Sequence, residues 1–399
     1  MPCNNGNHRL SGKTFTGNSD TTRLGSELNI FEQRCKKAQK MMAEKGLDYL
    51  FVGPGADMEY LCNYEVSPDE RLRLFILPSD GRSSFVTPAF EVPRFRVGGV
   101  EVFFDMLPWE ETDNPMDLVA DLVGSAKRVT IAIGDRHWGM FITEYLKRLP
   151  RAKLVSAETV LAEMRMHKDP TELGYLVQLG EALDRVWEMA LELDYQGRNE
   201  SDLATDLYEI KKKIFRPPIR LSPLGEHKPE SGINSSSGQG GGLNRVIQSG
   251  DGIYWEVGRG TCSGYSGDKT RSVQVAPATE EFKKVHGVVL KAHKVALNAI
   301  RPGATCESID QAGRKVIVQA GYGEYFTHRI GHGLGRDTHE PPYLVKGNKR
   351  RLEQGMVFTV EPGIYLPGKW GVRIEDTVRV TEDGAESFFK STKEFHEVR

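Results

Sequence analysis

Five side chains able to bind a metal ion or a cationic substrate follow one another in a fixed order in the C-terminal part of this chain. They are Glu256, Asp268, His332, Glu361 and Glu375. Glycines flank the histidine, where they would let a ligand approach the backbone, and Pro-Gly follows the third acid, where it fixes a turn. A single acid predicts only a solvated surface residue. Five in one ordered set predict strands, joined by turns, that converge on one site.

Strand patterns support this arrangement. In a strand over residues 252–257, alternation puts Tyr254 and Glu256 on one face, and residues 258–264 form a hairpin turn that leads to Asp268 on the returning strand. Two acids brought together in this way can bind a metal or share protons with a substrate. The other elements predicted for this region are strands at 270–275, 356–360 and 371–380 and helices at 280–300 and 306–320.

The chain of 399 residues is long enough for two domains. Residues 1–27 are polar and predict a tail. Residues 28–155 alternate strands and helices, which predicts an α/β domain. A second α/β domain, 156–399, begins with helices at 170–194, where Pro170 suits a first helical turn, and at 200–215. The glycine-rich stretch 225–244 is predicted to be a wall of the active site rather than a flexible linker.

Composition excludes several classes of protein. The net charge is -2 and no strong Lys/Arg cluster occurs, so no nucleic-acid partner is expected. The sequence has no apolar run of about 18 residues, which argues against a membrane span. The N-terminal residues lack an apolar signal core, which predicts a cytoplasmic protein. Five widely spaced cysteines predict reduced, mostly buried thiols.

The order of these residues resembles that of the creatinase, aminopeptidase P and prolidase family, the pita-bread enzymes. The resemblance runs from about residue 30 to the end and is carried by Gly264-Tyr-Ser-Gly-Asp-Lys-Thr-Arg271, His328-Arg-Ile-Gly-His332, Val360-Glu-Pro-Gly-Ile-Tyr365 and Arg373-Ile-Glu-Asp376. It implies a creatinase-like N-terminal α/β domain, a C-terminal pita-bread catalytic domain and a homodimer with pockets completed across subunits. In metal-dependent members the corresponding residues hold two divalent ions, and histidines like His328 and His339 position substrate and move protons.

Two departures from the family pattern concern the site. Glu256 stands where the metal-dependent enzymes have aspartate, and its interval to Asp268 is one residue longer than usual, so counting backwards places Val257 there instead. Gln239 stands where peptidases and creatinase offer a histidine. With these features the chain most resembles the ectoine hydrolases. That resemblance implies opening of the cyclic amidine ring of ectoine and hydroxyectoine to N-acetyl-diaminobutyrate isomers, and from it we expect no metal or other cofactor.

Roles follow from that chemistry. Glu256 attacks the amidine carbon as a nucleophile or activates water as a base, and His332 or His339, titrating near neutrality, protonates the departing nitrogen. Asp268 completes the catalytic set and holds the amidinium with two further acids. The predicted substrate-binding residues are His328, Glu361, Glu375, Gln239, Arg71 and Arg73. The two arginines match those with which the neighbouring subunit closes the pocket in creatinase-like dimers, although a surface role is equally compatible with the sequence.

Two other functions stay open on the sequence. In a dinuclear-metal Xaa-Pro dipeptidase or aminopeptidase, the ligands would be Glu256, Asp268, His332, Glu361 and Glu375. The chain could also be a non-catalytic peptide-binding module of the same fold, but such modules usually lose the site residues that are retained here.

Overall fold

The structure is a computed structural model that describes residues 20–98, 104–222, 225–242 and 244–399, without the side chains of 20–29 and 96–98. The chain divides into two units, Met1–Leu161 and Ala162–Arg399. Of the predicted tail, residues up to 19 lie outside the described residues. The rest of it, from Asp20, belongs to the first helix, which corrects the prediction that the polar segment runs to residue 27.

The N-terminal unit alternates helices with the strands of a mixed sheet. Its helices are α1 Asp20–Lys45, α2 Ala56–Cys62, α3 Val92–Gly98, α4 Pro115–Val123, α5 Gly139–Arg148 and α6 Glu158–Met166, the last of which crosses the unit boundary. Its strands are β1 Tyr49–Val52, β2 Leu74–Pro78, β3 Ser83–Pro88, β4 Phe104–Trp109, β5 Thr130–Ile133 and β6 Lys153–Ser156. Their order is β4-β3-β2-β1-β5-β6, with the apolar, buried β1 and β2 at the centre.

The C-terminal unit contains the remaining described elements. Its helices are α7 Pro170–Ala190, α8 Glu200–Ile214, α9 Glu280–Ala299 and α10 Cys306–Gln319. Its strands are β7 Ile219–Arg220, β8 Glu230–Ser231, β9 Gly252–Glu256, β10 Thr261–Cys262, β11 Tyr265–Ser266, β12 Thr270–Val275, β13 Gly331–Gly333, β14 Glu340–Leu344, β15 Val357–Val360, β16 Gly363–Leu366, β17 Trp370–Arg373, β18 Asp376–Val380, β19 Ala385–Ser387 and β20 Glu397–Val398. The two larger sheets run β20-β12-β9-β8 and β14-β13-β15-β18-β19.

Alternation along the strands separates the core of this unit from the site. In β15 and just beyond it, Phe358 and Val360 pack with α9 and α10 in one apolar cluster, whereas Glu361 lines a cavity. On the other sheet, Trp255 and Val257 pack with α7 and α8, whereas Glu256 lines the same cavity. Because successive side chains point to opposite faces, the helices cover one face of each sheet and the polar residues share the other.

Local sequence sets where α7 begins. Asp169 is its N-cap and accepts a hydrogen bond from the backbone N–H of Glu172, whose side chain in turn accepts one from the backbone N–H of Asp169. Pro170 occupies the first turn, where its missing N–H costs nothing. This reciprocal pairing fixes the start of a helix that supports the strand bearing Glu256.

Across the described ranges, none of the helices combines the length and apolarity that a membrane crossing requires. Cys62, Cys262 and Cys306 are buried thiols, and Cys35 is a partly exposed thiol, as the cysteine spacing predicts. Cys3 lies outside the described residues.

Candidate active site

A cavity of about 660 Å³ opens in the C-terminal unit. It brings together every C-terminal residue that the sequence nominates, namely Gln239, Glu256, Asp268, His328, His332, His339, Glu361 and Glu375. These residues come from segments as distant in sequence as the glycine-rich stretch and the end of β17. The topology therefore gathers them into one place.

Four of these residues form a buried cluster. His332 Nε2 lies 3.3 Å from an oxygen of Glu361 and 3.7 Å from an oxygen of Asp268. Glu375 accepts a hydrogen bond of 2.6 Å from the Thr270 hydroxyl. The ring of His332 donates from Nδ1 to the carbonyl of Gly333 at 3.0 Å. That bond leaves the Nε2 lone pair directed at the two acids.

Burial and mutual repulsion raise the pKa values of the acids in the cluster. Burial, and then the charge of Glu375, raise the pKa of Asp268 well above its usual range. Burial, and then Glu361, do the same to the pKa of Glu375. Burial also raises the pKa of Glu361, to about 7. Like charges enclosed together in this way favour protonation, or a cation between them.

Glu256 behaves differently. Its two oxygens lie 3.0 Å from His227 Nε2 and 3.1 Å from the guanidinium of Arg373. Burial raises its pKa, but the hydrogen bond from His227 and the charge of Arg373 outweigh burial and lower the pKa to about 2. Glu256 is therefore ionised and already paired. Val257, the alternative given by counting, is buried among apolar side chains.

Glycines let the strands of the site approach one another. A Cβ on Gly331 would lie 1.9 Å from the carbonyl oxygen of Thr359, and one on Gly333 would lie 2.2 Å from that of Pro341. The glycines beside His332 thus admit neighbouring backbone, whereas the sequence suggested that they admit a ligand. Asp268 lies in an irregular segment just before β12 rather than on the strand itself. Strand β10 lies within the predicted turn, and its hairpin partner β11 follows directly after that turn.

The other two predicted histidines lie beside the cluster. His328 donates from Nδ1 to the carbonyl of Arg329 at 2.7 Å and accepts at Nε2 from the Tyr365 hydroxyl at 2.8 Å. The rings of His339 and His332 have centroids 4.0 Å apart. Burial lowers the pKa of His332 to about 3 and also lowers that of His339. Both rings are thus neutral at pH 7, which differs from the expected titration near neutrality.

The glycine-rich stretch is a fixed wall of the cavity. The carboxylate of Glu200, which is fully buried, accepts hydrogen bonds from the backbone and hydroxyl of Ser231, at 2.8 and 2.7 Å, and from the side-chain amide of Asn234. Further along, the carbonyl of Gly238 accepts a hydrogen bond of 3.0 Å from Arg373. These bonds hold the segment that places Gln239 on the cavity.

Arg71 and Arg73 are paired within the N-terminal unit. Arg71 binds Glu111 at 2.8 Å, and the buried Arg73 binds Glu91 and Asp69, each at 2.5 Å. Their assignment to a partner subunit's pocket stays a prediction.

The cavity residues that were not singled out from the sequence include His227, Arg259, Arg329 and Arg373. Strand alternation could have identified Arg373, because it lies two residues before Glu375. Arg329 is next to a nominated histidine, but its direction depends on packing. His227 comes from a loop with no periodicity, so only the tertiary structure reveals it.

The residues fit a divalent cation. Two ligand groups have donor atoms within 4.8 Å of one another: Asp268 with His332 and His339, and His332 with Glu361 and Glu375. Carboxylate oxygens and a neutral imidazole nitrogen are suitable donors, and the hydrogen bond at Nδ1 of His332 fixes its orientation. Glu256 belongs to neither of these groups, and its place among the metal ligands stays a prediction.

Family models match both parts of the chain. Residues 34–167 match the creatinase/prolidase N-terminal domain, and residues 176–382 match metallopeptidase family M24. A relative described as a probable dipeptidase PepE, from Mycobacterium tuberculosis, is 34% identical over 365 residues, covering 90% of this chain and 95% of the relative. An Xaa-Pro dipeptidase of Lactobacillus helveticus is 29% identical, with 90% and 97% covered.

Solved structures agree with these matches. Dipeptidase PepE from Mycobacterium ulcerans superposes with a TM-score of 0.87 at 31% identity, covering 93% of this chain and 99% of that one. A prolidase from Thermococcus sibiricus gives 0.84 at 32% identity, with 92% and 98% covered. The predicted fold, a creatinase-like N-terminal domain followed by a pita-bread domain, is confirmed.

The expectation that the site uses no metal is wrong. The matched catalytic domain is that of a metallopeptidase family, and the described residues include two groups able to hold a metal ion. The expectation relied on the glutamate that replaces the first aspartate, but the remaining donors still form a ligand cluster without Glu256. Because the M24 model spans more than half of the sequence and a relative is 34% identical over 90% of it, the chain belongs to metallopeptidase family M24.

Proposed function

We propose that this protein is a metal-dependent dipeptidase that hydrolyses the C–N bond of Xaa-Pro dipeptides. The observation that carries the proposal is the buried cluster of Asp268, His332, Glu361 and Glu375, in which repelling acids surround a neutral imidazole. Relatives described as Xaa-Pro dipeptidases support the choice of substrate. The four cluster residues would hold the divalent ions.

Divalent ions bound there would polarise the scissile carbonyl and lower the pKa of a water molecule. Hydrolysis forms a bond from the water oxygen to the carbonyl carbon, breaks the C–N bond and moves a proton to the nitrogen. The neutral ring of His339, at the exposed side of the cluster, is suited to carry that proton. His328, held by its hydrogen bond with the Tyr365 hydroxyl, is suited to orient the substrate in the cavity.

Hydrolysis of ectoine is the second candidate, and Glu256 favours it. A carboxylate must be ionised to attack an amidine carbon, and Glu256 is the acid of the cavity whose pKa is lowered. In this reaction its oxygen bonds to that carbon, a ring C–N bond breaks, the nitrogen takes a proton, and water then releases the product. The resemblance to ectoine hydrolases supports the same choice. A cytoplasmic homodimer remains a prediction under either function.

One set of assays separates the candidates. The purified protein is analysed for bound metal, then given Ala-Pro or ectoine with added Mn²⁺ and after chelation. We expect Ala-Pro cleavage that Mn²⁺ increases and chelation removes, and that Glu361→Gln abolishes. Turnover of ectoine without any of Ala-Pro would refute the dipeptidase proposal. Loss of that turnover in Glu256→Gln would then establish the second candidate.

A further inference from the structure

Arg329 lines the cavity next to the cluster. Its guanidinium lies over the ring of Tyr343, 4.4 Å from the ring centroid. Tyr343 is the direct cross-strand partner of His332 in the β13–β14 ladder. Side chains of directly opposed residues share one face of a sheet, so the ring that supports the arginine lies on the same face as the imidazole of the cluster.

The other cations of the cavity already have protein partners. Lys228 binds Glu200 at 2.8 Å and Glu230 at 3.0 Å, and Arg373 binds Glu256. Arg259 donates to the carbonyl of Gly225 at 3.3 Å. Among the residues that the structure describes, the guanidinium of Arg329 has neither an ion pair nor a hydrogen bond. Within that part of the chain, its only contact of this kind is with the aromatic face of Tyr343.

The charge of this arginine acts inside the site. Burial is the largest cause that lowers the pKa of His339, and the charge of Arg329 is the next. An arginine held by stacking keeps its hydrogen-bonding edge available, and that edge matches the two oxygens of a carboxylate. A buried or half-buried cation without a charged or hydrogen-bonding partner carries an unfavourable desolvation free energy, and an anionic ligand removes that cost.

We propose that Arg329 binds the carboxylate of the substrate and makes the site selective for molecules that carry an acid close to the scissile C–N bond. The inference rests on the proposed hydrolysis, since a single carbon separates the C-terminal carboxylate of an Xaa-Pro dipeptide from the nitrogen that departs. Ectoine also carries a carboxylate on its ring, so the assignment applies to both candidate substrates.

The test compares Ala-Pro with its neutral C-terminal amide in the metal-loaded enzyme. We expect the wild type to prefer the acid, and Arg329→Gln to lower kcat/KM for the acid about 10- to 100-fold, as expected for a charged hydrogen-bonded pair. Hydrolysis of the amide should fall much less than hydrolysis of the acid, a difference that a merely structural role would not produce. Arg329→Lys should restore part of the preference. Arg301→Gln, an exposed arginine elsewhere in the unit, serves as the matched control.

Two results would overturn the assignment. One is an equal loss for acid and amide in Arg329→Gln, and the other is loss of the preference in Arg259→Gln instead. If the wild type cleaves neither ectoine nor Ala-Pro, the proposed function fails separately. Calorimetric titration with L-proline and L-prolinamide then tests, without any need for turnover, whether Arg329 binds a carboxylate. Tighter binding of proline to the wild type than to Arg329→Gln supports the assignment, and equal or absent binding refutes it.

Discussion

Glu256 is held ionised by two partners, while Asp268, Glu361 and Glu375 are driven towards protonation. In Glu256→Gln the side chain keeps its length but loses its charge, so Arg373, which is only 5% exposed, loses its ion-pair partner. We expect the variant to lose about 1–3 kcal/mol of unfolding free energy. Urea denaturation at pH 7 measures this loss. Unchanged stability would mean that the ion pair contributes nothing to folding.

His293 on α9 predicts an acid limit to stability. Its ring is fully buried, neither nitrogen has a hydrogen-bond partner among the described residues, and burial lowers its pKa to about 4. Asp376 opposes this shift, and Arg271, Lys393 and Lys294 add to it. Because the unfolded chain takes up this proton below about pH 6.5 and the folded chain does not, stability is lost as the pH falls from 6.5 towards 4.

The comparison is between the wild type and His293→Leu, unfolded in urea at pH 7 and pH 5. We expect the wild type to lose about 1 kcal/mol more than the variant per pH unit in this window. His396→Leu, which changes a ring near the surface, is the control and should keep the wild-type slope. Equal slopes in all three proteins would contradict the prediction.

At the scale of elements, the glycines of β13 determine whether the cluster can form. In Gly331→Ala the new methyl would meet the Thr359 carbonyl at 1.9 Å, so the strands must separate. We expect a loss of about 1–3 kcal/mol of unfolding free energy and weaker metal binding, because His332 is displaced. Gly287→Ala is the control, since its Cβ meets nothing within 4 Å and helix propensity favours alanine. Calorimetry with and without Mn²⁺ measures both effects.

Elements with strong periodicity could be predicted closely from the sequence, and those set by distant contacts could not. The predicted strand 270–275 has the bounds of β12, and the predicted helix 280–300 differs from α9 by one residue at its end. The predicted strand 371–380 is divided into β17 and β18 at Glu375, which instead bridges to Thr270. That division depends on a residue about a hundred positions away, so no local pattern reports it.

Sequence-based prediction of the candidate site meets the same limit as prediction of the elements. Its acids and histidines were nominated from their order and their neighbouring glycines, and the fold brings them to one cavity. Which of them bind metal depends on pairing. The sequence does not show that His227 and Arg373 occupy the oxygens of Glu256, since those contacts join a loop, a strand end and a hairpin.

For the whole molecule, the family membership predicts that metal and folding are coupled. An ion that binds the folded cluster but not the unfolded chain stabilises the protein, by about 2.7 kcal/mol at a hundredfold excess over Kd. We expect Mn²⁺ to raise Tm in proportion to the logarithm of its concentration, and Glu375→Gln to remove most of the rise. A Tm that chelation and Mn²⁺ both leave unchanged would contradict metal binding at this cluster.

The buried carboxylate of Glu200 has a consequence for turnover. Its hydrogen bonds with Ser231 and Asn234 hold part of the glycine-rich wall in place, and we expect that wall to keep its form when a substrate binds. An enzyme with a preformed wall needs no closing motion before chemistry, so its speed is governed by how fast small molecules diffuse in and out and by the reaction itself. We therefore expect a preformed, rigid pocket that selects substrates by size and needs no loop movement to admit them.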